Sequence, residues 1–164
     1  MDKNTSGKLV FREGARMSDA AEVERIVRSS KFFEEVEDEI SSAVCDLRES
    51  LNGGGTTYLF AELDGRVAGF VSFEKIACTD ANYQIYWIAV DNSFRGCGIG
   101  SKLINRALDI MRLRGGRTVY LQTAGRPQYM PTREFYKKNG WTHEATLKDY
   151  YVVGDDCCIF SIKL

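Results

Sequence analysis

The stretch from Tyr86 to Leu113 constrains this chain more than any other. An apolar run, Tyr86-Trp87-Ile88-Ala89-Val90, breaks at Asp91-Asn92-Ser93 and is followed by Phe94-Arg95-Gly96-Cys97-Gly98-Ile99-Gly100. After Gly100, Leu103, Ile104, Ala107, Leu108 and Met111 recur at helical spacing, with Lys102, Asn105, Arg106 and Asp109 turned away. The order is strand, glycine-rich loop, amphipathic helix. Three glycines at alternate positions clear side chains from the loop. Its backbone N–H groups can then converge on one object, to which the helix N-terminus adds partial positive charge. Such a turn suits a phosphate or pyrophosphate.

Two common phosphate motifs do not fit. No Gly-Lys-Ser/Thr stands at Walker spacing, and the dinucleotide pattern G-x-G-x-x-G fails because the third glycine comes one residue early. Five residues also separate Val90 from Gly96, and the next strand, near Thr118–Gln122, ends in Thr123-Ala124-Gly125 rather than in an acid. What fits is Arg/Gln-x-x-Gly-x-Gly/Ala, as Arg95-Gly96-Cys97-Gly98-Ile99-Gly100. This resembles the pyrophosphate loop of the GNAT superfamily of N-acetyltransferases, which bind acetyl-coenzyme A.

The rest of the chain reads as one compact unit. A length of 164 residues suits a single domain spanning 1–164, and net charge −1 gives no general drive toward nucleic acid or membrane. No apolar run approaches the ~20 residues of a membrane span, and Met1–Gly7 lacks the apolar core of a secretory signal. Five cysteines without zinc-site spacing, and a single histidine, His143, point to reduced thiols in a cytoplasmic protein without a transition-metal site. Cys157 and Cys158 are expected on opposite faces of a strand.

Lys8–Arg12 reads as a first strand. Ser18 is the expected N-cap of a helix buried through Ala20, Val23, Ile26 and Val27. A second helix runs from about Glu34 to Leu51, stopped by Asn52-Gly53-Gly54-Gly55. Asp64-Gly65 predicts a hairpin between Tyr58–Leu63 and Arg66–Lys75. Tyr83–Val90 is apolar on both faces, as a central strand should be. It should run parallel to Thr118–Gln122, since a helix makes the crossover. Pro131 starts a short helix ended by Asn139-Gly140, and Trp141–Val152 with Cys157–Lys163 form a last hairpin around Gly154-Asp155.

The resulting order, β-α-α-β-β-β-α-β-α-β-β, is also that of the GNAT superfamily. Thr132-Arg133-Glu134-Phe135-Tyr136-Lys137-Lys138-Asn139-Gly140-Trp141 resembles its A-x-x-F/L-Y-x-x-x-G-F segment, with Thr132 and Trp141 substituted. The ending from Asp149-Tyr150-Tyr151 through Asp155-Asp156 to Phe160 loosely resembles ribosomal-protein N-terminal acetyltransferases. The resemblance implies an α+β, three-layer fold with a mixed central sheet of about seven strands, splayed between the fourth and fifth.

It also implies a chemistry: direct transfer of an acetyl group from acetyl-CoA to a primary amine in a ternary complex. Backbone of Arg95, Gly96, Cys97, Gly98, Ile99, Gly100 and Ser101 would hold the pyrophosphate. The backbone of Ile88, Ala89 and Val90 would pair with the pantetheine arm, and the N–H of Ile88 or Ala89 would polarise the carbonyl. Tyr136 matches the tyrosine that protonates the departing sulfur. Asn139 is a coenzyme A contact or a helix C-cap. An alkyl amine has a pKa near ~10.4 and must lose a proton. Family members often place a Glu on the strand before the loop, where this chain has Gln84 and no acid. Glu74, Tyr150 or Tyr151, or a water chain, are the candidate bases, and His143 is expected on the surface.

The family builds its acceptor groove from the first helix pair and the late hairpin. Here these are Lys31–Glu39, with Phe32, Phe33, Glu34, Glu35, Glu37 and Asp38, and Tyr150–Asp156, with Tyr150, Tyr151, Asp155 and Asp156. Carboxylates beside aromatics predict an acceptor amine, small molecule or peptide, carried on a positively charged molecule such as a polyamine, a basic N-terminus or a lysine side chain. The alternative is a coenzyme A-binding sensor or regulatory module with little turnover, which the missing strand carboxylate favours. Monomer and homodimer are both open.

Overall fold

A computed structural model describes residues 7–30 and 36–164. The sheet has the order β1-β2-β3-β4-β5-β7-β6. Its strands are β1 (Leu9–Glu13), β2 (Thr57–Leu63), β3 (Arg66–Lys75), β4 (Tyr83–Val90), β5 (Thr118–Ala124), β6 (Thr142–Val152) and β7 (Asp155–Lys163). The helices are α1 (Asp19–Ser30), α2 (Val36–Leu51), α3 (Ile99–Leu113) and α4 (Met130–Lys138), with 3₁₀ turns at Asn92–Phe94 and Pro127–Tyr129. Among the described strands, β4 and β5 alone pair in parallel, as a helical crossover requires. The insertion of β7 between β5 and β6 had no sequence signal.

Both faces of the sheet are covered. Val23, Ile26, Ile40 and Leu47 of α1 and α2 pack on Tyr58, Phe60 and Phe70. On the opposite face Leu103, Ile104 and Met111 of α3 pack on Phe73, Ile85, Leu121 and Phe160, joined by Tyr136 of α4. β3, buried at nearly every position, reads as the continuous apolar strand that two covered faces demand. The β2–β3 turn uses Asp64 at φ 51° and Gly65 at φ 79°, the left-handed pair that a tight hairpin needs. Cys157 and Cys158 are both buried on opposite faces of β7, and the cysteines of the described residues are free thiols.

Two local expectations change. At the start of α1 it is the Asp19 carboxylate, not the Ser18 hydroxyl, that acts. It accepts the Arg16 N–H at 2.7 Å and is clamped by Arg12, an acidic group at a helix N-terminus that also fixes β1 to α1. Second, β4 is not a regular strand. Ser72 faces Trp87 but Phe73 faces Ile85, so Tyr86 is an extra, bulged residue. The bulge sends Trp87 and Ala89 to the α1/α2 side while Ile88 and Val90 pack on the α3 side.

Candidate active site

The loop after β4 is held at its root by Asp91. This buried carboxylate accepts the Ser93 N–H at 2.8 Å and pairs with Arg25, whose Nη2 also donates to the Val67 carbonyl at 2.7 Å. Beyond that anchor the backbone turns left-handed at Gly96 (φ 78°) and Gly98 (φ 71°), and a Cβ at either would meet nothing within 4 Å. The glycines are thus required by conformation, while the space above them is open. Gly98 is the N-cap of α3 without a side-chain cap, and Lys102 N–H is the donor to its carbonyl, at 3.1 Å. The N–H groups of Ile99, Gly100 and Ser101 therefore have no intrahelical acceptor. No acid stands in the first turn. The donors, the helix dipole and the open space suit a pyrophosphate. Arg95 turns back to the Ser30 carbonyl at 3.2 Å, and partial burial lowers its pKa. The half-exposed Cys97 lies with its sulfur 3.9 Å from the Arg95 carbonyl.

Beside the loop the sheet opens. β4 and β5 pair only at Tyr83–Val119 and Gln84–Tyr120, whereas β4 keeps its β3 partners through Val90 and β5 its β7 partners through Ala124. From Ile85 onward the β5-facing edge of β4 is therefore free of ladder partners. Ile88, Ala89 and Val90 stand half-buried on that edge, which is the geometry that accepts an extended chain carrying amides.

The short helix α4 closes the opposite side. The Phe135 ring lies 3.6 Å from where a Gly100 Cβ would be, so α4 abuts the start of α3. Tyr136 is 4% exposed, its ring against Phe135, Trp141 and Phe160. Burial drives its phenol pKa above the ordinary tyrosine value, which favours the protonated phenol. Asn139 is the C-cap of α4: its Nδ2 donates to the Phe135 carbonyl at 2.8 Å. Of the two roles open to Asn139, the cap is the one the geometry displays.

The acceptor side departs from expectation. Phe32, Phe33, Glu34 and Glu35 lie outside the described residues. Glu37 is paired with Arg28 at 2.6 Å. Asp155 is buried and lies 2.8 Å from Arg126 Nε, and Asp156 pairs with Lys148 at 2.7 Å while accepting the Asp149 N–H. The hairpin acids are thus neutralised, because the strand that follows the turn draws Asp155 inward. Among the base candidates, Glu74 is half-buried on β3 and accepts the Thr56 hydroxyl at 3.0 Å. Tyr150 is 52% exposed and meets Tyr151 edge-on. Burial, then a contact with the Cys157 thiol, raise the pKa of Tyr151. His143 is exposed, bonded to Thr146. The sequence missed Asp46 on α2, which accepts the Trp87 indole N–H at 2.7 Å; a contact across 41 positions leaves no local signal.

A glycine loop on an uncapped helix, a splayed parallel pair and a tyrosine-bearing helix across the gap is an arrangement with known relatives. The acetyltransferase (GNAT) family matches over residues 21–141. The chain belongs to the GNAT family of acetyltransferases. It is 33% identical over 103 residues to an uncharacterized N-acetyltransferase of Methanocaldococcus jannaschii, spanning 57% of this chain and 42% of that longer protein. An N-alpha-acetyltransferase of Sulfolobus acidocaldarius is 29% identical over 126 residues, 71% of this chain and 74% of the relative. The crystal structure of a GNAT-family protein from Desulfovibrio desulfuricans superimposes with TM-score 0.90 and 34% identity, over 95% of this chain and 99% of that one. The GNAT protein thus has the fold that its glycine loop and element order implied. No helix among its described residues is long and apolar enough to cross a membrane.

Proposed function

We propose that this chain is a single acetyltransferase domain that moves an acetyl group from acetyl-CoA directly to a primary amine. The observation that carries this reading is the junction of the open Gly96–Gly98 turn, with its unbonded α3 N–H groups, and the free β4 edge that begins where β5 departs. When bound, acetyl-CoA supplies the activated acyl carbon. The N–H groups around Gly98–Ser101 bind its phosphates, and the Ile88–Val90 edge aligns the arm by strand-like hydrogen bonds. The N–H of Ile88 or Ala89 polarises the thioester carbonyl. The amine gives up a proton to Glu74, Tyr150 or a water chain, forms the C–N bond, and the C–S bond breaks. Tyr136, kept protonated by burial, delivers a proton to sulfur. The free thiols suit a reducing compartment, and the cytoplasm is the proposed location.

The second reading is a coenzyme A-binding module with little turnover. Gln84, standing where relatives often carry a carboxylate, favours it. Coenzyme A release from acetyl-CoA with a panel of primary amines separates the two. Release that rises with one amine supports transfer; tight cofactor binding with no release above background supports the module.

A further inference from the structure

The gap between β4 and β5 is open although both strands offer hydrogen-bonding groups across it. Asp91 donates its N–H to the Ala68 carbonyl of β3 at 2.8 Å, so Val90 and Ile88, one and three residues before it, turn their N–H and C=O groups toward β5. Gly125 likewise donates to the Asp156 carbonyl of β7 at 2.8 Å, so Ala124 and Gln122, one and three residues before it, turn theirs toward β4. Two half-ladders thus face each other beyond Tyr120, and no β4–β5 pair joins them. Open strand edges are templates for pairing, so a device is needed to hold these two apart.

The side chain at that place is Arg133 of α4. Its Nη1 donates to the Ala124 carbonyl at 2.8 Å and to the Arg126 carbonyl at 3.0 Å. The Ala124 carbonyl, aimed at β4, is therefore already taken. A guanidinium on a carbonyl makes a charge-assisted bond, stronger than the neutral N–H that β4 would bring. Two residues along α4, the Phe135 ring reaches the opposite side. It converges with a Val90 methyl on Gly100, at 3.6 and 3.7 Å from where the Gly100 Cβ would stand. α4 thus meets both sides of the gap, through Arg133 at β5 and through Phe135 beside Val90. Tyr136 follows Arg133 by three residues, close to one helical turn, so the bond that seats Arg133 also sets the phenol.

We propose that Arg133 is a positioning residue that keeps the acyl-donor slot open. It caps the Ala124 carbonyl, so that β5 does not close on Ile88 and Val90, and it holds α4 as a spacer across the gap. This rests on the reading above that the pantetheine arm lies along β4. Arg133 touches neither the substrates nor the reacting carbon. It acts through the width of the gap and through Tyr136.

Arg133→Met removes the donors and keeps an unbranched apolar stem, while Arg133→Lys restores a charged donor. Amide hydrogen exchange, followed by NMR on protein free of coenzyme A, reads the gap without turnover. In the wild type, the Ile88, Val90 and Gln122 amides should exchange rapidly and become protected when coenzyme A is added. In Arg133→Met they should be protected beforehand, and coenzyme A should bind about ten-fold more weakly. Arg133→Lys should recover part of both effects. Amides as open in Arg133→Met as in the wild type, with coenzyme A affinity unchanged, overturn the proposal. So does a lowered melting temperature with faster exchange throughout the chain, which makes Arg133 a local tie of the β5–α4 turn. The cofactor reading fails separately, if the wild type binds no coenzyme A. Early protection in Arg133→Met then still supports the spacer, and its absence still overturns it.

Discussion

Arg126 Nε lies 2.8 Å from Asp155 Oδ2 at the point where β7 leaves the hairpin turn. Arg126 stands just past the end of β5, so the pair ties the β6–β7 hairpin to the segment that leads into α4. Asp155 is 2% exposed, and the Arg126 side chain is 29% exposed. Removing the carboxylate takes the ion-pair partner from a partly buried guanidinium, which keeps its contact over the Tyr129 ring. Asp155→Ala should therefore cost about 1–3 kcal/mol, below the value for a fully buried pair because water still reaches Arg126. Urea unfolding measures it. A midpoint equal to the wild type would show that the hairpin needs no such tether.

That pair also shows what a sequence conveys. Gly98, Asp64-Gly65 and Pro131 were legible because each answers a local demand: positive φ, a tight turn, a helix start. The periodic faces of α1 and α3 were legible because a helix repeats its burial every few residues. The pairing of β5 with β7, the bulge at Tyr86 and the Trp87–Asp46 bond were not. Each depends on which distant segment arrives alongside, and no short window encodes that. Asp155 misled for the same reason. In sequence it is an acid in a turn; in the fold it is the first residue of an inner strand.

Substitutions in the glycine loop should divide by conformation. Gly98 has φ 71°, whereas a Cβ at Gly100 would sit at an ordinary 3.6 Å from Phe135. Gly98→Glu should lose most acetyl-CoA affinity, since it strains the turn and sets a negative side chain beside the helix N-terminus. Gly100→Ala should fold with near-native stability. Fluorescence titration with acetyl-CoA and thermal melting check both. Unchanged affinity in Gly98→Glu would remove the loop from cofactor binding.

Tyr136→Phe isolates one proton. The ring contacts with Phe135, Trp141 and Phe160 survive the change. Stability and acetyl-CoA affinity should therefore hold while kcat drops about 10²–10⁴-fold. The comparison needs conditions in which chemistry limits turnover, established by single-turnover rates. Equal rates there would take Tyr136 out of the mechanism.

Alkaline pH should unfold the protein through its buried phenols. Burial raises the pKa of Tyr58 and of Tyr136 above the ordinary tyrosine value. The folded state keeps these protons longer than the unfolded chain does. Their contribution is complete below the unfolded pKa, near ~10, and is lost as pH rises from there toward the folded values. Phenolate absorbance should show a late fraction of the eight tyrosines ionising together with loss of circular dichroism. Smooth titration of all eight with the fold intact would contradict their burial.

The last prediction concerns a residue outside the site. Gly69 on β3 faces Val90 on β4, and a Cβ there would come within 2.7 Å of the Ala89 carbonyl and 3.1 Å of a Val90 methyl. No real side chain tolerates the first distance, so Gly69→Ala must push β4 away from β3 at the residues assigned to the pantetheine arm. Overpacking of this kind costs about 1–3 kcal/mol. The displaced segment is the free edge, with no β5 partner to resist movement, so the strain should appear in binding as well as in stability. Gly69→Ala should lower the melting temperature and weaken acetyl-CoA together. Asp155→Ala, which leaves β4 alone, should lower only the first. Weakened binding in Asp155→Ala to the same degree would mean that general loosening, rather than the position of Ala89 and Val90, governs the cofactor site.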